Sequence, residues 1–302
     1  MPKAHPSKKI IRYESDFRVI PGRTLVAILL PTIAILALFL VSYSSFITMS
    51  LHETVPGKAM VSEVWSLENY RRFFSDSMYF SFLFDTLYRS AEITLLSLMI
   101  AYPLAYCLAR SSSKILRHIM MLAMIIPLLS GGITMAYSWM VLLGNVGLVN
   151  SSLRALGIIE KPIRFLYNWL GVIIALVHYC LPYTALSLIG PIRNVPRTLE
   201  EAGVNLGASK PTIFFRIVLP LTASGIIEAT SLTYSIALSS FLFPMVLGGG
   251  KVKMMANIIY EVTIIASDFP FAGTLATALL FVSILTVLAM TFLQRTVRRS
   301  HE

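Results

Sequence analysis

The sequence has 302 residues, of which 56% are hydrophobic and only 13% charged, too few polar groups to cover a soluble globule of that size. The formal net charge of +10 does not point to nucleic acid, because the basic residues lie between long apolar runs and not on a polar domain with base-stacking aromatics. The two cysteines, Cys107 and Cys180, sit inside apolar runs without metal-ligand spacing and read as small apolar residues.

The chain opens on a basic segment, 1–23, with Lys3, Lys8, Lys9, Arg12, Arg18 and Arg23. The apolar run that follows is too long for a signal-peptide core and lacks a clear cleavage pattern after it, so it reads as a retained anchor. A helix needs about 20 apolar residues to cross the hydrocarbon core. Six stretches reach that length: 24–47, 82–109, 119–143, 169–189, 226–247 and 273–293. Most of the 25 Lys and Arg residues fall at the termini and in the segments after the second and fourth stretches, which places both termini in the cytoplasm. The fold class expected is all-α, a polytopic membrane protein with six transmembrane helices.

The outer loop, 48–81, carries Glu53, Glu63, Glu68 and Asp76 beside Trp65, Tyr70 and Phe73; it suits either a docking surface for an outside partner or aromatics held at headgroup depth. Further along, Gly248-Gly249-Gly250-Lys251 is the nearest string to a phosphate-binding loop, but its spacing is wrong and its predicted side is the outer one.

Ionisable residues within spans are costly and are functional candidates by default. Glu92 in the second span fits either a carboxylate facing a central path, where it would attract a cationic amine, or an ion pair with Arg89 at i+3 spacing. Glu228 lies in the fifth span near its cytoplasmic end, where water can reach it. Tyr137, Trp139, Tyr179, Tyr183 and Tyr234 offer ring faces for cation-π contact with an amine, or serve as packing and interface anchors. His178 fits a titrating group or a hydrogen-bonded structural histidine.

The segment between the fourth and fifth spans holds two helix starts. Thr198 and Glu201 form a Thr-x-x-Glu capping box, Gly207 suits a left-handed C-terminal cap, and Ser209 caps a second helix with Pro211 in its first turn. Leu199, Ala202, Gly203 and Leu206 make one apolar face at i, i+3, i+4, i+7, with small residues in its middle. A helix this short is unstable alone. Its face suits a groove on another protein, or packing on its own membrane domain.

Glu201-Ala202-Gly203-x3-Gly207-x9-Ile217-x-Leu219-Pro220 resembles the EAA loop of ABC importer permeases, Glu-Ala-Ala-x3-Gly-x9-Ile-x-Leu-Pro, departing only at Gly203, which keeps a small residue. Leu67-Glu68-Asn69-Tyr70-Arg71-Arg72-Phe73, Tyr102-Pro103-Leu104-Ala105-Tyr106, Leu181-Pro182 and Leu247-Gly248-Gly249 extend the resemblance toward the first permease subunit of spermidine/putrescine-type transporters. These outer motifs are shared with relatives that carry other solutes.

The resemblance implies the ABC importer permease fold, with a cytoplasmic segment 1–23, a six-helix domain 24–293 that contains the coupling loop 190–220, and a cytoplasmic tail 294–302. It implies a bacterial inner-membrane location, a second homologous permease subunit, two ATPase subunits that use ATP and Mg, and a periplasmic solute-binding protein. The chain itself is expected to bind no cofactor or metal and to perform no catalysis. The cargo expected is a polyamine or related amine, the alternatives being an amino-acid derivative, a sugar or iron. An ion-coupled secondary transporter would use Glu92 and Glu228; a membrane enzyme finds no nucleophile, metal cluster or paired carboxylates.

Overall fold

A computed structural model describes residues 22–54 and 61–299. Of the expected cytoplasmic N-terminal segment 1–23, all but the last two residues lie outside the described residues, as do the last three of the expected tail 294–302. The chain divides into two compact units, one ending at Ser45 and one beginning at Phe46. The first unit holds most of helix α1 (Gly22–Ser50), which from Leu29 onward is apolar and exposed on nearly every side.

In the second unit the expected outer loop is not a loop. Strands β1 (His52–Thr54) and β2 (Val61–Trp65) pair antiparallel, and α2 (Glu68–Ser75) follows them. Asp268 fastens this module to the last helix. Its carboxylate accepts from the Thr54 hydroxyl at 2.8 Å and from Arg72 at 3.0 Å, while the Arg72 guanidinium stacks 3.9 Å from the centroid of Phe271. On the module's inward side Phe73 of α2 joins Leu83, Met255, Ile258, Phe271 and Leu275 of later helices in one core cluster.

Helix α3 (Ser77–Arg110) starts on the Asp76 cap, whose carboxylate accepts from the Met78 amide. At 1.5 Å per residue its 34 residues span about 50 Å, well beyond a hydrocarbon core of about 30 Å. It packs along α7 (Trp169–Asn194) and α11 (Ala223–Leu238), with α14 (Phe269–Arg299) against α11. Small residues bring these helices close. Gly225 lies so near α7 that an added Cβ would stand 2.3 Å from Cγ of Pro191.

Two expected spans are broken. The stretch 119–143 divides into α4 (Lys114–Ser130) and α5 (Gly132–Leu142), which meet at 106°. The cause is Gly131 at φ 72, a left-handed conformation that only glycine adopts without steric cost. The stretch 226–247 stops at Leu238; residues 239–241 interrupt it before α12 (Leu242–Gly248). Serine side chains compete for backbone partners there, and Ser239 turns its hydroxyl back to the Ser235 and Ile236 carbonyls. Among the described residues four helices are long and apolar enough to cross a membrane, or up to six if two bent pairs, Lys114–Ser130 with Gly132–Leu142 and Lys210–Leu221 with Ala223–Leu238, each make one span. The remaining helices are α6 (Leu148–Ala155), α8 (Arg197–Asn205), α9 (Lys210–Ile213), α10 (Leu219–Leu221) and α13 (Met255–Tyr260), with π-helical turns at Phe214–Val218 and Glu261–Ile265.

Gly225→Val forces α7 and α11 apart at their tightest crossing, an overpacking cost of about 1–3 kcal/mol. The expected outcome is a lower melting temperature of the detergent-purified protein, whereas the same substitution at Gly190, where an added Cβ meets nothing within 4 Å, leaves it near the native value.

Candidate functional site: the α8 loop and the broken helices

Helix α7 ends at Asn194, and Pro196 caps the start of α8 without a side-chain bond. The expected Thr198–Glu201 capping box is therefore absent. Proline supplies the fixed φ that opens a helix, so the first turn begins two residues earlier and Thr198 lies inside it.

The C-terminus follows expectation. Gly207 stands at φ 79, its amide donates to the Val204 carbonyl at 2.9 Å, and the Ala208 amide donates to Gly203 at 3.0 Å, which together make a Schellman cap. Ser209 then caps α9 by accepting from the Thr212 amide. The apolar face of α8 is divided. Gly203 is buried where an added Cβ would lie 3.1 Å from Ile213 and 3.2 Å from Ile217, while Leu199, Ala202 and Leu206 are exposed, Leu206 at 88%. Ile217 falls in the π turn, and Leu219 and Pro220 open α10, which meets α11 at a 71° bend between Leu221 and Ala223.

Glu201 is exposed, and its neighbour Glu200 turns inward. One Glu200 oxygen lies 2.6 Å from a guanidinium nitrogen of Arg110, and the other accepts from the Tyr106 hydroxyl at 3.0 Å. The same Arg110 nitrogen donates to the Val195 carbonyl at 2.8 Å. Side chains exposed by only 13% and 18% make this a largely buried pair, of the kind whose breakage costs about 3–5 kcal/mol. Sequence reading missed all three residues; the nearest signal was a basic residue at the end of one span and a second acid beside the motif glutamate. Between α8 and α9 an open groove of about 660 Å³ is lined by Val204, Pro211, Phe214 and Phe215, with Glu200, Glu201 and Lys210 among its polar residues.

The intramembrane candidates do not converge. Glu92 accepts from Arg89 at 2.7 Å, and the Arg89 guanidinium lies 4.8 Å from the ring centroid of Trp169, the first residue of α7. That contact sets the pair level with the start of α7. Glu228 is exposed in a groove between α11 and α14 with Ser231, Ser235, Thr291 and Gln294. Tyr234 is buried, its hydroxyl 3.5 Å from the Leu87 carbonyl, and Tyr137 is exposed on α5. Trp139 donates to Nδ1 of His178 at 3.2 Å, so this histidine is a hydrogen-bonded partner of α5. Tyr179 stacks on Tyr183 at 5.7 Å and on Phe243 at 5.1 Å.

Tyr179 also faces a cleft of about 380 Å³ lined by Gly132, Ile236, Ser239, Ser240, Phe241, Leu242 and Phe243. The cleft thus adjoins both helix breaks, at Gly131 and at residues 239–241. None of its lining residues is charged, and it lies at the C-terminal end of α11, where the helix dipole is negative.

The model of the family "Binding-protein-dependent transport system inner membrane component" matches residues 93–300. This chain belongs to that family. The permease is 33% identical over 224 residues to the spermidine/putrescine transport system permease protein PotB of Escherichia coli K12, covering 74% of this chain and 81% of that one. It is 32% identical over 214 residues to PotB of Haemophilus influenzae, covering 71% and 74%. Among solved structures, the bacterial alginate ABC transporter in complex with an alginate pentasaccharide-bound periplasmic protein contains a chain that matches with TM-score 0.75 at 18% identity, over 91% of this chain and 95% of that one. The inward-facing methionine transporter MetNI gives TM-score 0.54 at 17% identity over 74% and 99%. These two matches establish the fold of an ABC importer permease subunit.

Gly207→Leu places a side chain at a left-handed position, at a cost of about 1–2 kcal/mol. The expected result is faster amide exchange across 197–208 with protection of α3 and α7 unchanged.

Proposed function

We propose that this permease moves a polyamine or a closely related amine from periplasm to cytoplasm by alternating access, powered by ATP hydrolysis in partner subunits. Six spans cross the membrane in this reading, with α4 and α5 sharing one and α11 and α12 another, and both termini lie in the cytoplasm. A second, homologous permease completes the path, two ATPase subunits use ATP and Mg, and a periplasmic protein delivers the solute. The exposed Leu199, Ala202 and Leu206 around the Schellman cap at Gly207 carry the reading, because a short helix with an uncovered apolar face is suited to seat in a partner's groove.

The amine rests on the PotB relatives and on the uncharged, aromatic cleft. A cation there meets the π faces of Tyr179 and Phe241 and the negative end of α11 without a fixed positive charge among the lining residues to repel it. Glu92, held by Arg89 beside Trp169, belongs to the outer end of this path.

In vesicles holding the permease with its ATPase, the second permease and the delivery protein, uptake is expected to need ATP and to survive collapse of the proton gradient. Uptake that proceeds without ATP and follows a proton gradient would overturn the proposal. Glu201→Lys is expected to abolish stimulation of ATP hydrolysis by loaded delivery protein while the permease still inserts. Tyr179→Ala is expected to raise the half-saturating amine concentration about tenfold, the size of a partly desolvated cation-π contact of ~1–2 kcal/mol; an unchanged value across a panel of amines would remove the cleft from the path.

A further inference from the structure

Toward α11, the coupling helix α8 is joined covalently through α9, a π turn, α10 and a 71° bend. A π turn and a sharp bend in succession make a compliant link, ill suited to carry a small displacement over distance. A second route exists, and it is not covalent. On α3, Tyr102, Tyr106 and Arg110 follow one another at i, i+4, i+8 and so share one face.

Together the three grip the α8–α11 segment at Glu200, Phe214 and Thr222. Arg110 pairs with Glu200 of α8 at 2.6 Å, and Tyr106 donates to the same carboxylate at 3.0 Å. The rings of Tyr102 and Tyr106 both stand edge-on to Phe214 in the π turn, at 5.4 and 5.5 Å. The Tyr102 hydroxyl is hydrogen-bonded to that of Thr222 at the bend, at 2.6 Å, with both residues buried. Helix α3 then runs unbroken to Ser77, packing along α7 and α11 on the way.

We infer that Tyr102, Tyr106 and Arg110 form a clamp through which α3 receives the displacement of α8 and carries it across the membrane. The inference rests on the importer reading. It assigns positioning roles to three residues outside the Glu201–Pro220 motif and makes Glu200, not the exposed Glu201, the inward-facing contact. Arg110 is suited to this because one nitrogen of its guanidinium reaches the carboxylate and the Val195 carbonyl at once, tying the end of α7 into the same joint.

The test uses the complete importer in vesicles, with assembled complex quantified beside basal ATP hydrolysis, hydrolysis stimulated by loaded delivery protein, and solute moved per ATP. Arg110→Gln is expected to keep assembly and basal hydrolysis while the stimulated-to-basal ratio and the solute moved per ATP fall on the order of tenfold, a coupling loss of ordinary allosteric size. Arg110→Lys, which keeps the charge but loses the fork, is expected to recover part of both. Tyr106→Phe removes a single oxygen and decides the matter if Arg110→Gln fails to assemble; it is expected to lower the same two ratios to a smaller extent. Unchanged ratios, or an uptake loss matched entirely by less assembled complex, would overturn the clamp. If the native complex shows no stimulation, the importer reading itself fails, a result separable from failure of the clamp alone.

Discussion

A backbone that leaves its helix inside hydrocarbon must find partners for every amide and carbonyl it frees, and this demand organises the permease. Its helices break at Gly131, near Thr222 and at residues 239–241, and local bonds close each break. The Gly131 carbonyl accepts from the Met135 amide, and the Thr222 hydroxyl returns to the Val218 and Leu219 carbonyls while pairing with Tyr102. Asn257, reaching in from α13, donates to the Phe241 carbonyl at 3.0 Å. The packing of α3, α7 and α11 is thus the covering that lets irregular backbone exist at membrane depth, and the cleft beside Tyr179 is where two of the breaks meet.

Charge follows the same logic. Arg89 with Glu92, Arg110 with Glu200, Lys253 with Glu261 and Arg72 with Asp268 are all ion pairs. Each joins groups that would be costly to bury alone. Glu92, the most suggestive acid in the sequence, has its charge answered by a residue one turn away.

Much of this architecture was legible in advance, for physical reasons that also explain the failures. Long apolar runs fix α1, α3, α7 and α14 because the bilayer leaves no alternative, and Gly207 and Ser209 fix the ends of α8 and α9 because their conformations and side-chain bonds are local. The breaks at Gly131 and Ser239–Ser240 escaped, since hydropathy is blind to backbone direction: a Gly-Gly pair and a Ser-Ser pair within apolar runs are compatible with a straight span until tertiary packing bends them. The hairpin at His52–Thr54 and Val61–Trp65 was missed because short strands with a long connection carry little periodicity. The Arg110–Glu200 pair joins residues 90 positions apart, and spacing rules describe neighbours on one helix only.

The π turn at Phe214–Val218 gives the spacing of the Glu201–Pro220 motif a rotational meaning. Each residue in an α-helix turns the chain by about 100°, so the nine positions between Gly207 and Ile217 set where Phe214 meets Tyr102 and Tyr106 and where Ile217 lies beside Gly203. A deletion of one residue there would leave the long apolar stretches intact, yet it would turn Phe214 away from Tyr102 and Tyr106 and Ile217 away from Gly203. Insertions and deletions in this stretch are therefore more damaging than most substitutions, and evolutionary change in such a segment should proceed by exchange of side chains at constant length.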